Sequence, residues 1–198
     1  MLEEPLLMQH QNGALNCDSY AQLEFQKLKE LYKLDYAIET GTCLGYTTEF
    51  LAKTFNVVRT IEINTKFLGI AKENRLNKYK NCKLYLGDSS KLLHLLLDGL
   101  NHNTFIFLDA HWGNHCPLKE ELKHIANSGI KPVIAIHDFY VPKRPELGYD
   151  SINGQPFTFE WLKDSIDSIY GDNNYNHYYN DKSIGAKRGI IYITPKNY

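Results

Sequence analysis

Five carboxylates punctuate the chain: Glu39, Glu62, Asp88, Asp109 and Asp138, each closing a short apolar run. One acid after such a run is ordinary turn chemistry. The same placement at five successive runs reads as a site. Two imidazoles, His111 and His137, fall beside the last two acids. Carboxylates gathered this way can accept hydrogen bonds from ligand hydroxyls or hold a divalent cation through oxygen. An imidazole beside them can take a proton near neutral pH.

A glycine turn follows the first acid. The stretch Y-A-I-E-T-G-T-C-L-G-Y-T-T, residues 36 to 48, places Gly41 and Gly45 between an apolar run and a helical segment. Strand, glycine turn and helix together bring backbone amides to a sheet edge, where they can hold a ligand. The competing reading is a plain tight turn. Cys43 stands where the dinucleotide fingerprint has its second glycine, which argues against an NAD-linked oxidoreductase. Glu62 lies about 20 residues past the turn, placed to accept hydrogen bonds from both hydroxyls of a ribose. A helix-capping role is its alternative. Asp88 and Ser89 could read an adenine edge, and Asp88 could also cap the helix that follows.

The elements that must position these residues alternate. A helix is expected over residues 20 to 33, with Ser19 as N-cap and Gln22 in the capping-box position. Strands are expected over 35 to 39, 57 to 63, 82 to 90, 104 to 111 and 131 to 138. Helices are expected between them, from the glycine turn to about Phe55, then over 65 to 76, 91 to 97 and 117 to 126. Pro117 suits a first helical turn. Apolar strands alternating with helices predict a parallel sheet covered on both faces, with ligands beyond the strands' carboxyl ends. Residues 140 to 157 are too long for a simple connection and carry Phe139, Tyr140, Tyr149 and Phe157 as anchors, which predicts an ordered lid. A helix over 158 to 170 and two strands, 175 to 180 and 188 to 194, complete an antiparallel hairpin.

Composition narrows the classes. The chain has 198 residues, 43% of them hydrophobic, a net charge of −1 and a pI near 6.7. That suffices for a single domain, 1 to 198, with a full core, and lacks the basic footprint of a nucleic-acid binder. No apolar run approaches the ~20 residues of a membrane span. The N-terminus lacks the pattern of a signal peptide. Cys17, Cys43, Cys82 and Cys116 are scattered without a C-x-x-C pair, as expected of reduced thiols in a cytoplasmic protein.

The run E-T-G-T-C-L-G-Y-T-T, Glu62, G-D-S after the third strand and L-D-A-H after the fourth resemble class I S-adenosylmethionine (SAM)-dependent methyltransferases, and within them small-molecule O-methyltransferases. The resemblance spans residues 36 to 138. It implies a Rossmann-like three-layer α/β sandwich with a seven-stranded sheet in the order 3-2-1-4-5-7-6 and strand 7 antiparallel. It implies SAM as cofactor, with Glu39, Gly41 and Gly45 facing the methionine part, Glu62 holding the ribose, and Asp88 and Ser89 the adenine. Thr40, Thr42, Tyr46, Thr47, Ile63, Gly87 and Asp109 complete the expected cofactor set.

Asp109-Ala110-His111 is similar to the D-A-D of cation-dependent members, and His137-Asp138 falls where those carry further ligands. Two mechanisms follow. In one, Asp109 and Asp138 hold Mg²⁺ or another divalent cation; an imidazole at 111 suits Mn²⁺, Fe²⁺ or Zn²⁺ better. In the other, Asp109 stays near the acceptor while His111 or His137 takes its proton without a metal. A third reading makes both histidines structural. Trp112 either walls the acceptor pocket or packs in the core. Lys143, Arg144, Lys187 and Arg188 either meet an anionic acceptor or are solvated surface. The function expected is methyl transfer to a small molecule at oxygen. Its rivals are a metal-dependent hydroxylase or oxygenase on the same fold, and a non-catalytic cofactor-binding protein.

Overall fold

The computed structural model describes residues 13–101 and 103–196. The expectation about a signal peptide falls outside these residues. The main sheet has seven strands: β1 Tyr36–Thr40, β2 Val57–Glu62, β3 Cys82–Leu86, β4 Thr104–Leu108, β5 Val133–His137, β6 Tyr175–Tyr179 and β7 Ile190–Pro195. Their order is β3-β2-β1-β4-β5-β7-β6. The first five are parallel, and β7 runs antiparallel to both β5 and β6. Six helices flank it: α1 Ser19–Leu31, α2 Tyr46–Thr54, α3 Thr65–Asn74, α4 Ser89–Leu97, α5 Leu118–Ser128 and α6 Phe159–Tyr170. This is the Rossmann-like architecture and strand order implied by the resemblance. Among the described residues, no helix is long and apolar enough to cross a membrane.

Strand alternation divides the core in two. Ile106 and Leu108 of β4 face one layer with Leu93 and Leu96 of α4, Leu122 of α5 and Ile166 of α6. Phe105 and Phe107 face the other, with Phe25 of α1 and Leu51 of α2. Every residue of β4 and β5 is therefore buried, as expected for strands covered on both faces. Phe25 anchors the second layer: its ring lies 4.6 Å from Phe105, 5.4 Å from Phe107 and 6.2 Å from Tyr192.

Several boundaries move. Asp18, not Ser19, caps α1, accepting from the amides of Tyr20 and Ala21 at 3.0 and 3.2 Å. A carboxylate one residue earlier reaches those orphan donors, and Gln22 instead donates to Ala14 O at 3.0 Å. The helix stops at Leu31 because Lys33 is left-handed, with φ of 48°. The third, fourth and fifth strands end at Leu86, Leu108 and His137, ahead of their expected limits. Residues 109 to 111 and 138 thereby leave the ladder for the sheet's carboxyl edge.

The lid is ordered. Leu147 and Phe157 are buried, and Phe157 stacks on Trp161 of α6 at 5.4 Å. A two-residue ribbon pairs Ser151–Ile152 with Gln155–Pro156. Tyr149 is the weak anchor: it is exposed and packs edge-on against Tyr140.

Candidate active site

Between β1 and β4 the chain reverses the direction in which strands are added, and the crevice there is the usual ligand position in such sheets. A pocket of about 340 Å³ opens at this point. Gly41, Glu62, Ile63, Gly87 and Ser89 line one part, while Asp109, His111, Trp112 and Asp138 line another.

The glycine turn is built by backbone demands. Gly41 has φ of 86°, and a Cβ there would lie 2.4 Å from Asp109 O. Only glycine lets β1 and β4 approach this closely. Gly45, at φ of 80°, opens α2, and its Cβ would meet Ala71 of α3 at 2.9 Å. Gly45 thus seats the turn on α3 and does not line the pocket.

Glu39, Thr40, Thr42, Tyr46 and Thr47 also lie outside the pocket lining and support it. Glu39 is buried under the turn, where Oε2 accepts from Thr60 Oγ1 at 2.7 Å and from Thr48 Oγ1. Burial pushes its carboxyl up to about 8, against the lowering effect of those two hydroxyls. Among the described residues its Oε1 has no hydrogen-bond partner. Thr42 and Thr60 hydroxyls meet at 2.6 Å. Thr40 O accepts the Asp109 amide at 3.1 Å. Tyr46 lies under the Arg75 guanidinium at 3.5 Å, and Thr47 Oγ1 accepts from Leu15 N at 3.0 Å.

Glu62 holds the loop by backbone donors. Oε2 accepts from Cys43 N at 2.7 Å and Oε1 from Asn64 N at 2.8 Å. Burial raises its pKa, and those amides oppose the rise. Each oxygen keeps a second lone pair for a ligand hydroxyl. Ser89 is buried beside the Glu121 carboxyl, and among the described residues its hydroxyl makes no hydrogen bond of normal geometry. Asp88 performs the capping role, accepting from Ser90 N at 3.0 Å and Ser90 Oγ at 2.7 Å, and is not part of the pocket lining.

The two histidines meet three carboxylates. His137 Nδ1 lies 3.2 Å from both Asp109 Oδ1 and Asp138 Oδ2. His111 Nε2 lies 3.3 Å from Asp138 Oδ2 and 3.9 Å from Asp150 Oδ2. Both rings are buried. Burial opposes their charged forms, yet the neighbouring carboxylates win: the His111 pKa is raised and that of His137 lies well above its ordinary value. Asp138 is held well below the usual carboxylate range by the two imidazoles, despite burial. Its backbone is left-handed, with φ of 54°, a conformation that costs energy outside glycine and gathers at functional sites.

Arg188 closes the cluster. Its Nε donates to Asp138 Oδ1 and its Nη2 to Asp150 Oδ1. Of the four cations considered for an anionic acceptor, Arg188 is thus internally paired, and Arg144 pairs with Glu146 at 2.6 Å. Lys143 and Lys187 are exposed, and the pocket lining contains no Lys or Arg. Trp112 is 53% exposed at the pocket mouth, which removes the core-packing alternative.

The pocket also draws on residues without a sequence signal. Asn16 reaches it from the N-terminal segment, in a left-handed turn with φ of 55°. Asn64 and Phe67 reach it from α3 and its cap. Asp150, outside the pocket lining, comes within 3.9 Å of His111 Nε2 and receives Arg188. Glu121 of α5 is buried beneath Ser89 and Thr40, and burial raises its pKa.

No family model and no curated protein matches the sequence. Solved structures match the fold. The O-methyltransferase TomG from Streptomyces achromogenes, involved in tomaymycin synthesis and solved with SAM, aligns at a TM-score of 0.64 and 16% identity, covering 90% of this chain and 80% of that one. An O-methyltransferase from Bacillus cereus, solved with SAH, aligns at 0.62 and 22% identity, covering 90% and 81%. A precorrin 8w decarboxylase from Methanobacterium thermoautotrophicum aligns at 0.56 and 17% identity, covering 89% of each chain. The strand order, the glycine turn and these alignments agree: the chain has the fold of the class I SAM-dependent O-methyltransferases.

Proposed function

We propose that the chain transfers a methyl group from SAM to a hydroxyl oxygen of a small molecule. One observation carries this reading: a single pocket runs from Gly41, Glu62 and Ser89 to Asp109, His111 and Asp138. Glu62 accepts from ribose hydroxyls, the Ser89 hydroxyl serves the adenine side, and Gly41 leaves room for the methionine part. SAM supplies the methyl group as an electrophile on sulfur. The chain's own contribution is chiefly positioning, which can supply several kcal/mol of a barrier. Asp109, His111 and His137 orient the acceptor hydroxyl, and an imidazole in its neutral form, populated only at higher pH beside these carboxylates, receives its proton, while the lid and Trp112 exclude water.

A divalent cation belongs to this reading. His137 Nδ1 is buried without a hydrogen bond of normal geometry, although two carboxylate oxygens lie 3.2 Å away. Asp109, His137 and Asp138 therefore fit a cation of mixed nitrogen and oxygen preference. When bound there, such an ion lowers the acceptor hydroxyl's pKa.

Calorimetry with SAM and S-adenosylhomocysteine tests the reading. The wild type binds, and Gly41→Val and Glu62→Ala each lose affinity by 10-fold or more. Unchanged affinity in both variants would sink the assignment. Oxygen uptake with added Fe²⁺, and no S-adenosylhomocysteine released in the presence of a metabolite pool, would favour the hydroxylase instead.

A further inference from the structure

Glu121 is an acid on an apolar face. It shares the inner side of α5 with Leu118, Leu122 and Ile125, all in the core, and is 1% exposed. A carboxyl in such surroundings is costly unless its oxygens are hydrogen-bonded. Among the described residues Glu121 Oε1 has no hydrogen-bond partner, and neither has the buried Ser89 hydroxyl beside it. Unmade hydrogen bonds of this kind are rare in folded chains and call for a cause. One of the two groups belongs to a residue that lines the pocket. Hydrogen bonds of a site are often long before the ligand arrives and shorten when it is bound.

The neighbours of Glu121 join the two parts of the pocket. Ser89 opens α4 and lines the pocket in the part formed by Glu62 and Gly87. Thr40 closes β1 opposite Leu108 of β4, so its side chain enters the layer that holds α4 and α5. Thr40 Oγ1 lies 3.3 Å from the Asp109 amide, which also donates to Thr40 O at 3.1 Å. The Glu121 carboxyl thus sits between the hydroxyl of a cofactor-side residue and a hydroxyl that supports Asp109 on the acceptor side. His124, one turn further along α5, donates from Nε2 to Ser90 O at 2.8 Å and fixes α5 against the first turn of α4. Burial raises the Glu121 pKa, opposed by the two hydroxyls and by His111. A protonated carboxyl donates as well as accepts, so one side chain can serve both hydroxyls.

We propose that Glu121 is a positioning residue of the methyl-transfer site, holding Ser89 on the cofactor side and Thr40 beneath Asp109 on the acceptor side, and that cofactor binding completes its hydrogen bonds. The inference deepens the proposed methyl-transfer reading and rests on it for the ligand. The carboxyl lowers the stability of the empty chain, and the loss is recovered when the pocket fills.

Calorimetry with S-adenosylhomocysteine and thermal melts on the full chain test it. Glu121→Met is apolar and close in volume. It is expected to melt at or above the wild-type temperature, because replacing a poorly paired buried ionisable group by an apolar one is often neutral or stabilising. Its S-adenosylhomocysteine affinity is expected to fall roughly 10-fold or more, while Glu121→Gln, the analogue of the protonated acid, stays within about 3-fold of wild type. Ser89→Ala is expected to weaken binding about 5-fold, and adding it to Glu121→Met to cause no further loss, as for two groups that act as a unit. Three results overturn the proposal and leave SAM binding standing: wild-type affinity in Glu121→Met, independent losses in the double variant, or a Glu121→Met chain that melts well below wild type. A wild type that binds no S-adenosylhomocysteine defeats the methyl-transfer reading, and the inference with it.

Discussion

The Glu62 carboxylate accepts the backbone amide of Cys43 at 2.7 Å, tying the end of β2 to the glycine turn that follows β1. The residue expected to hold a ribose therefore also holds the loop beside it. Glu62→Gln keeps one acceptor oxygen and loses the charge. The expected outcome is about 10-fold weaker S-adenosylhomocysteine binding, with a melting temperature a few degrees lower, since charge-assisted hydrogen bonds contribute about 1.5–3 kcal/mol each. Calorimetry and a thermal melt on the same sample check both.

Glu39 makes stability depend on pH. Folding raises its carboxyl from 4.5 to about 8, chiefly through burial. Between those values the folded state keeps a proton that the unfolded state has released. Its contribution is complete below about pH 4.5 and is lost as pH rises through about 8, with a slope of up to about 1.4 kcal/mol per pH unit. Glu39→Gln is expected to flatten this slope and to gain stability relative to wild type as pH rises from 5 to 8. Denaturant melts across that range decide it, and identical slopes in the two proteins would contradict it.

Phe25 carries the second core layer against β4 and β7. Phe25→Ala leaves a cavity among Phe105, Phe107 and Tyr192, and is expected to cost about 3–5 kcal/mol. Equilibrium denaturation measures the loss. A cost below 1 kcal/mol would mean that the layer collapses around the gap.

Trp112 behaves in the opposite way. It stands 53% exposed at the pocket mouth. Trp112→Ala is expected to leave stability within about 0.5 kcal/mol of wild type, as for most surface changes, while weakening ligand affinity several-fold. An equal change in stability and a constant affinity would assign it to packing.

Most of the fold was legible in the sequence because its causes are local. Apolar runs of strand length, helical periodicity and a glycine turn mark elements one at a time, and their alternation leaves a parallel sheet as the natural outcome. The acids at the strand ends followed, since a parallel sheet brings all its carboxyl ends to one edge. Element ends were less legible. Asp18 displaced Ser19 as the cap because either residue type can serve, and the backbone dihedrals decide between them.

The sequence by itself determined that Glu62, Ser89, Asp109, His111 and Asp138 would share one edge, because strand direction does that without any long-range detail. Tertiary structure alone decided which of the motif residues line the pocket. Glu39 sits in the same motif as Gly41 yet is buried beneath the turn, since β1 is covered on both faces. Arg188 and Asp150, 38 residues apart, meet through a lid whose path depends on how Leu147 and Phe157 pack. Arg188 falls ahead of β7, which begins at Ile190 and not at the expected residue 188, Asp150 lies in the long connection, and no spacing rule joins them. Their contact follows from packing the whole chain, and with it the identity of the charges around His111 and His137.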